Sequence, residues 1–172
     1  MPELQRLSAD HEVALRDFEL ANRSYFARSI SDRGEEYFDS FADHHAGELA
    51  EQEAGGSAFY VLVADDGAIV GRFNLRRIDN GSAVLGYRVA QHVAGRGVAT
   101  EGVERLCREA AETWGVHVVR AATSDANLAS RRVLEKAGFV LVGPAEPADI
   151  GGQQGSWWER RLSSRPPVEP RA

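Results

Sequence analysis

The sequence holds one cysteine, Cys107, and one lysine, Lys136, among its 172 residues. A single thiol excludes an intrachain disulfide and fits a reducing compartment, so a cytoplasmic setting is expected. No apolar run approaches the ~20 residues a bilayer crossing needs. The opening Met1-Pro2-Glu3-Leu4-Gln5-Arg6 lacks the apolar core of a signal peptide. No membrane partner is expected. The histidines, His11, His44, His45, His92 and His117, are scattered without ligand spacing, and no metal is expected. Cys107 lies beside an apolar helical stripe and reads as a buried, inert thiol. There is no internal repeat. Nearly all the basic residues are arginine, and alanine is abundant, which suggests a GC-rich genome.

Charge is present in ordinary amount, 27%, with a net −6. It is unevenly spread. Residues 1–57 carry 13 acids against five arginines, whereas residues 58–172 are slightly basic. Overall acidity speaks against a nucleic-acid partner. The acidic segment reads first as a solvated helical surface; attraction of a cationic substrate is the alternative.

Residue patterning divides the chain. Gln5-Arg6-Leu7 fits a short strand. Ala9 to Asn22 has helical spacing with Val13, Leu15, Phe18 and Ala21 near one face, Asn22 to Arg33 reads as irregular, and Arg33 to Glu53 reads as a second helix carrying Tyr37, Phe38, Phe41 and Leu49. Ala58–Ala64, Ala68–Ile78 and Ser82–Val89 are strands joined by Asp65-Asp66-Gly67 and Asp79-Asn80-Gly81 turns, an antiparallel meander. Val98–Trp114 is a helix ended by Gly115, Val116–Ala122 a buried strand, and Asn127–Ala137 a helix closed by Gly138. Phe139–Gly143 and Trp157–Leu162 complete the pattern. The expected fold is α+β (mixed α/β): a central twisted, mostly antiparallel sheet of six to seven strands with helices on both faces. One domain over residues 1–162 and a frayed tail over 163–172 are expected.

Two segments carry chemistry. Leu85 to Val89 runs as a strand into Gly95-Arg96-Gly97 and then a helix beginning Val98-Ala99-Thr100. A helix opened by glycines offers unpaired N–H groups and a positive dipole end to an anion. No Gly-Lys-Ser/Thr follows, which excludes a nucleotide P-loop, and a dinucleotide fingerprint lacks its third glycine and downstream acid. Pyrophosphate binding and an ordinary turn both fit the loop. Further on, Asn127 and Ser130 open a helix, where simple capping is the competing role. His92 precedes the loop and reads as surface.

These residues resemble the GNAT N-acetyltransferases. Ala94-Gly95-Arg96-Gly97-Val98-Ala99 is similar to the family's phosphate loop, and Asn127-x-x-Ser130 with Gly138-Phe139 resembles the end of its acyl-CoA core. The likeness extends from Arg6 to Leu162 and is greatest to the bacterial Rim-type branch, the ribosomal-protein alanine N-acetyltransferases. It implies acetyl-CoA as acyl donor, with N–H groups of Gly95, Arg96, Gly97, Val98, Ala99 and Thr100 around the pyrophosphate. Tyr87, Arg88 and Val89 would flank the pantetheine arm, and Asn127 would bind that arm from the other side. Two positions depart from the family: Ala94 replaces the loop's usual Gln or Arg, and Leu134 stands where many members have an acidic tyrosine.

The resemblance also implies a direct attack by a neutral amine. Ser130 would protonate the departing thiolate, and Asp149 or Glu101 would serve as base. Neutralising an α-amine at pH 7 costs roughly 1 kcal/mol, against about 4.6 kcal/mol for a lysine amine, so a site without a strong base suits an α-amine. The expected acceptor is therefore a protein or peptide N-terminal amine. A small-amine acetyltransferase, acting on an antibiotic or polyamine, and a non-catalytic acyl-CoA sensor are the alternatives. A homodimer is left open.

Overall fold

A computed structural model describes residues 1–163. The expected frayed tail falls, apart from Ser163, outside them. Strands β1 (Glu3–Arg6), β2 (Ala58–Val63), β3 (Ile69–Asp79), β4 (Ser82–Val89), β5 (Val118–Ser124), β6 (Val140–Ala145) and β7 (Gly155–Arg161) form one seven-stranded sheet in the order β1-β2-β3-β4-β5-β7-β6. Every pairing is antiparallel except β4 with β5. The three-stranded meander β2-β3-β4 read from the sequence is present, and β1 pairs with the outer edge of β2.

Six helices cover the two faces: α1 (Glu12–Ala21), α2 (Arg23–Phe26), α3 (Glu35–Asp39), α4 (Phe41–Glu53), α5 (Val98–Trp114) and α6 (Leu128–Lys136). On one face, Val103, Leu106, Cys107 and Ala110 of α5 and Leu134 of α6 pack on Tyr60, Phe73, Leu75 and Leu85. Each fully buried aliphatic side chain there contributes about 1.5–3 kcal/mol. On the other face, Leu15, Phe18, Phe26, Tyr37, Phe38 and Phe41 from α1–α4 close over Phe59, Val61 and Ile69. Strand alternation sends Phe73 and Leu75 to the first face and Arg72 to the second.

Three expectations are corrected. The single helix over 33–53 is two, because the chain turns at Ser40 between α3 and α4. Val13 does not share the buried face of α1; it is 70% exposed, while Leu15, Phe18 and the carboxylate-bearing Glu19 point inward. Within the expected irregular run 22–33, Arg23–Phe26 makes one short helix. Among the described residues, no helix is long and apolar enough to cross a membrane.

Candidate acyl-CoA site

β4 and β5 pair only from Ser82↔Val118 to Val84↔Arg120. Beyond Val84 the two parallel strands separate, and the edge of β4 that faces β5 pairs with no strand. Both α5 and α6 follow the carboxyl ends of these strands, so their N-termini converge on the opening. This is where ligands collect in sheets with a parallel pair, because main-chain groups and positive helix ends meet there.

The opening is a cleft in two joined parts. One cavity, of about 170 Å³, runs between Val89, Ala94, Gly95 and Ala99 on one side and Asn127, Ala129, Ser130 and Val133 on the other. The other, of about 300 Å³, lies between β4 and β5 and reaches Leu134, Asp149 and Ile150. Tyr87, Arg88, Asn127, Ser130, Ser29 and Ile30 line both parts.

At the first part, Gly95 and Gly97 hold φ of +75° and +81°, the left-handed region that side chains with a Cβ rarely adopt. Those turns leave the N–H groups of Gly95 to Thr100 without a protein acceptor among the described residues; the next, Glu101, bonds back to Gly97 at 3.0 Å. Gly95 and Ala99 line the cavity, while Arg96, Gly97, Val98 and Thr100 stand in the loop and first turn just outside its wall.

Asn127 does what capping predicts: its Oδ1 accepts from the Ser130 N–H at 3.1 Å. Its amide NH₂ has no protein acceptor among the described residues and lies in the cleft wall. Where the two cavities join, the Tyr87 hydroxyl lies 3.1 Å from Ser130 Oγ. Burial pushes the Tyr87 phenol up to about 12, against the opposing pull of the Ser130 hydrogen bond. Tyr87 thus faces α6 with its side chain, a placement the strand register could have revealed once Phe73 was known to lie opposite.

The two expected bases separate. Asp149, exposed on a short 3-10 turn, lines the larger cavity. Glu101 does not reach the cleft: its carboxylate is bound by Arg105 one helical turn on, at the solvent edge of α5. Three residues unremarked in the sequence, Arg33, Arg72 and Asn74, line the larger cavity. Arg72 is buried and bonded to Glu19 at 2.8 Å and to Glu48 at 2.8 and 2.9 Å. Burial alone would lower its proton affinity, but Glu48 and Glu19 outweigh burial and the net shift is upward. Among the described residues, no group of three or more His, Cys, Asp and Glu side chains could hold a metal ion.

Residues 3–140 match the family described as acetyltransferase (GNAT) domain. The chain belongs to the GNAT acetyltransferase family. The reaction class follows from that membership: transfer of an acyl group from acetyl-CoA. A probable N-acetyltransferase of Bacillus subtilis (strain 168), YjcK, is 34% identical over 90 residues, which cover 51% of this chain and 50% of that protein. The match thus spans about half the length of that relative.

Solved structures extend the likeness to nearly the whole chain. The ribosomal-protein-S5-alanine acetyltransferase of Vibrio fischeri superposes with a TM-score of 0.86 at 16% identity, covering 96% of each chain. RimJ of Mycobacterium smegmatis, in complex with CoA-disulfide, gives 0.83 at 22% identity over 95% of this chain and 83% of that one. Spermidine N-acetyltransferase of Vibrio cholerae, with CoA and spermine, gives 0.78 at 17% identity over 95% and 96%. At these identities the likeness is one of fold.

Proposed function

We propose that this GNAT chain acetylates a primary amine by direct attack on acetyl-CoA, and that the acceptor is the α-amine of a protein or peptide. The observation that carries the reading is the join of the two cavities at Tyr87 and Ser130, between an anion-ready helix start and a cavity with an exposed carboxylate, Asp149. Free N–H groups from Gly95 to Thr100 hold the pyrophosphate of the donor. The unpaired edge of β4 from Tyr87 to Val89 hydrogen-bonds the pantetheine arm as a further strand would, and the Asn127 NH₂ donates to it from the α6 side.

The amine nitrogen bonds to the thioester carbonyl carbon, and the C–S bond breaks. The amine's proton passes to Asp149, directly or through water; Ser130 Oγ–H protonates the sulfur as its own proton is replaced through the Tyr87 hydroxyl, which regains one from solvent. The main-chain N–H at Val89 faces the developing oxyanion. Support for an α-amine comes from the cost of neutralising it: roughly 1 kcal/mol at pH 7 for an amine of pKa ~8, against about 4.6 kcal/mol for one of pKa ~10.4. The fold likeness to ribosomal-protein acetyltransferases points the same way, and the likeness to the spermidine enzyme supplies the competing class.

Thiol release from acetyl-CoA separates the readings. Peptides with a free α-amine should drive release, while N-blocked lysine peptides and spermidine should not. Faster release with spermidine transfers the assignment to small amines. CoA binding with no thiol released by any amine makes the chain a sensor.

A further inference from the structure

The larger cavity is walled by guanidinium groups. Arg33, Arg72 and Arg88 all line it, and Asp149 is the one carboxylate among its lining residues. The acidic character of residues 1–57 does not reach this wall, since the two acids nearest it are already used. Glu19, on α1, is 2% exposed and lies between Arg72 and Arg88, bonding them at 2.8 and 3.1 Å; Glu48 closes on Arg72 and also approaches Arg76 at 3.8 Å.

Arg33 is left over. Its guanidinium lies 4.7 Å above the Tyr37 ring, and it has no acidic partner among the described residues. The neighbouring acids, Asp32 and Glu35, both bind Arg23. Arg72 and Arg88 thus share Glu19 and Glu48, and Arg33 is the guanidinium on this wall with no carboxylate bonded to it among the described residues. Burial is the main cause lowering the proton affinity of Arg88; Glu19 raises it, Arg33 and Arg72 lower it again, and the net result is downward. Arg88 also commits only one of its terminal nitrogens to Glu19 and lies 4.8 Å over the Phe26 ring.

We infer that the acceptor carries a carboxylate close to its amine, bound by Arg33 with Arg88 beside it, while the amine faces Asp149. A guanidinium fork matches a carboxylate bidentately, which a cationic acceptor cannot exploit. Two sources share this chemistry: a peptide whose second residue is Asp or Glu, and a free amino acid. A polyamine brings only positive charge and offers the Arg33 guanidinium nothing to bind. The inference rests on the amine-acetylation reading for its substrate, and it names the class of that substrate.

The test compares matched acceptors on the full chain. Ala-Glu and Ala-Lys peptide amides, alanine and alaninamide are assayed by thiol release, and the same four compounds are titrated calorimetrically into the CoA-saturated protein. The acidic peptide, or alanine over alaninamide, should lead by roughly tenfold, the size of a charge-assisted hydrogen bond. Arg33→Glu should erase or invert that ratio, and Arg33→Lys should retain part of it. Equal or inverted preference in the unaltered protein, or a ratio that Arg33→Glu leaves unchanged, overturns the inference. An acidic preference in binding with no thiol released supports it and sinks the catalytic reading alone.

Discussion

The Tyr87 hydroxyl on β4 and the Ser130 hydroxyl on α6 lie 3.1 Å apart across the mouth of the β4/β5 cleft. Either hydroxyl can donate to the other; the arrangement in which the phenol donates to Ser130 Oγ leaves the serine's own proton free to point into the cleft. Ser130→Ala should lower kcat by about 10²–10⁴, the range for a positioned proton donor. Tyr87→Phe should lower kcat less, with KM for acetyl-CoA little changed, and the double variant should fall short of the product of the two effects because the groups act together. Steady-state kinetics of the three variants across pH checks this; unchanged turnover in Ser130→Ala removes it as the acid.

Gly97 caps α5 at φ +81°, with nothing within 4 Å of where a Cβ would sit. Strain there comes from the backbone alone. Gly97→Val should cost about 1–2 kcal/mol of stability and weaken CoA roughly tenfold by turning the N–H cradle. Gly67→Val, at φ +84° in the β2–β3 turn, carries the same strain away from the cleft and should leave CoA affinity intact. Calorimetry on both variants distinguishes the cradle from general destabilisation.

Gly102 lets α5 lie directly on β3. A Cβ at this position would stand 2.2 Å from Phe73 Cζ, and Phe73 in turn stacks on Tyr87 with ring centroids 5.9 Å apart. Gly102→Ala gains about 1 kcal/mol in helix propensity, yet overpacking of about 1–3 kcal/mol should dominate. A lower melting temperature is expected, with kcat reduced through Tyr87, and Phe73→Leu should restore part of both.

Glu19→Ala leaves two buried guanidinium groups short of a partner. Breaking a buried pair in this way costs about 3–5 kcal/mol. Denaturant unfolding should show that loss. Replacing the more exposed Glu35, which pairs with Arg23 at the surface, should cost no more than about 1 kcal/mol.

Acid should weaken the fold through His11. Burial, and then the neighbouring His45, hold its pKa below the ordinary 6.5, with Asp10 opposing. The folded chain therefore binds fewer protons than the unfolded one in the window just under 6.5, so this part of the stability is whole above that pH and drains away as pH falls through the folded value. His11→Gln should flatten the slope in a urea series run across the window.

Much of the frame was legible in the residues. Helix α5 spans Val98–Trp114 as its spacing and Gly115 predicted, β4 spans Ser82–Val89, and Gly138 sits at φ +82° after α6. These elements announce themselves through period and punctuation. Glu19 did not, because a carboxylate inside an amphipathic pattern looks solvated until its partners, 53 and 69 residues away, are placed beside it. The break at Ser40 was hidden because aromatic residues continue at helical spacing on both sides of it. The loop proposed to hold the donor was visible as a local motif. The wall proposed to face the acceptor was not, being assembled from Arg33 and Arg72 beside Asp149, which only the folded chain brings together.

Because β4 and β5 are stitched over three positions and then part, the sheet behaves as two leaves on a short spine. On the proposed reading the leaf bearing β4 supplies the donor's grip, and the mouth is trimmed by side chains from outside both leaves, Ser29 and Ile30 among them. Exchanging those trimming residues can reshape the gap while the hinge and the grip stay fixed. A scaffold divided this way can change its clientele without relearning how to hold its reagent.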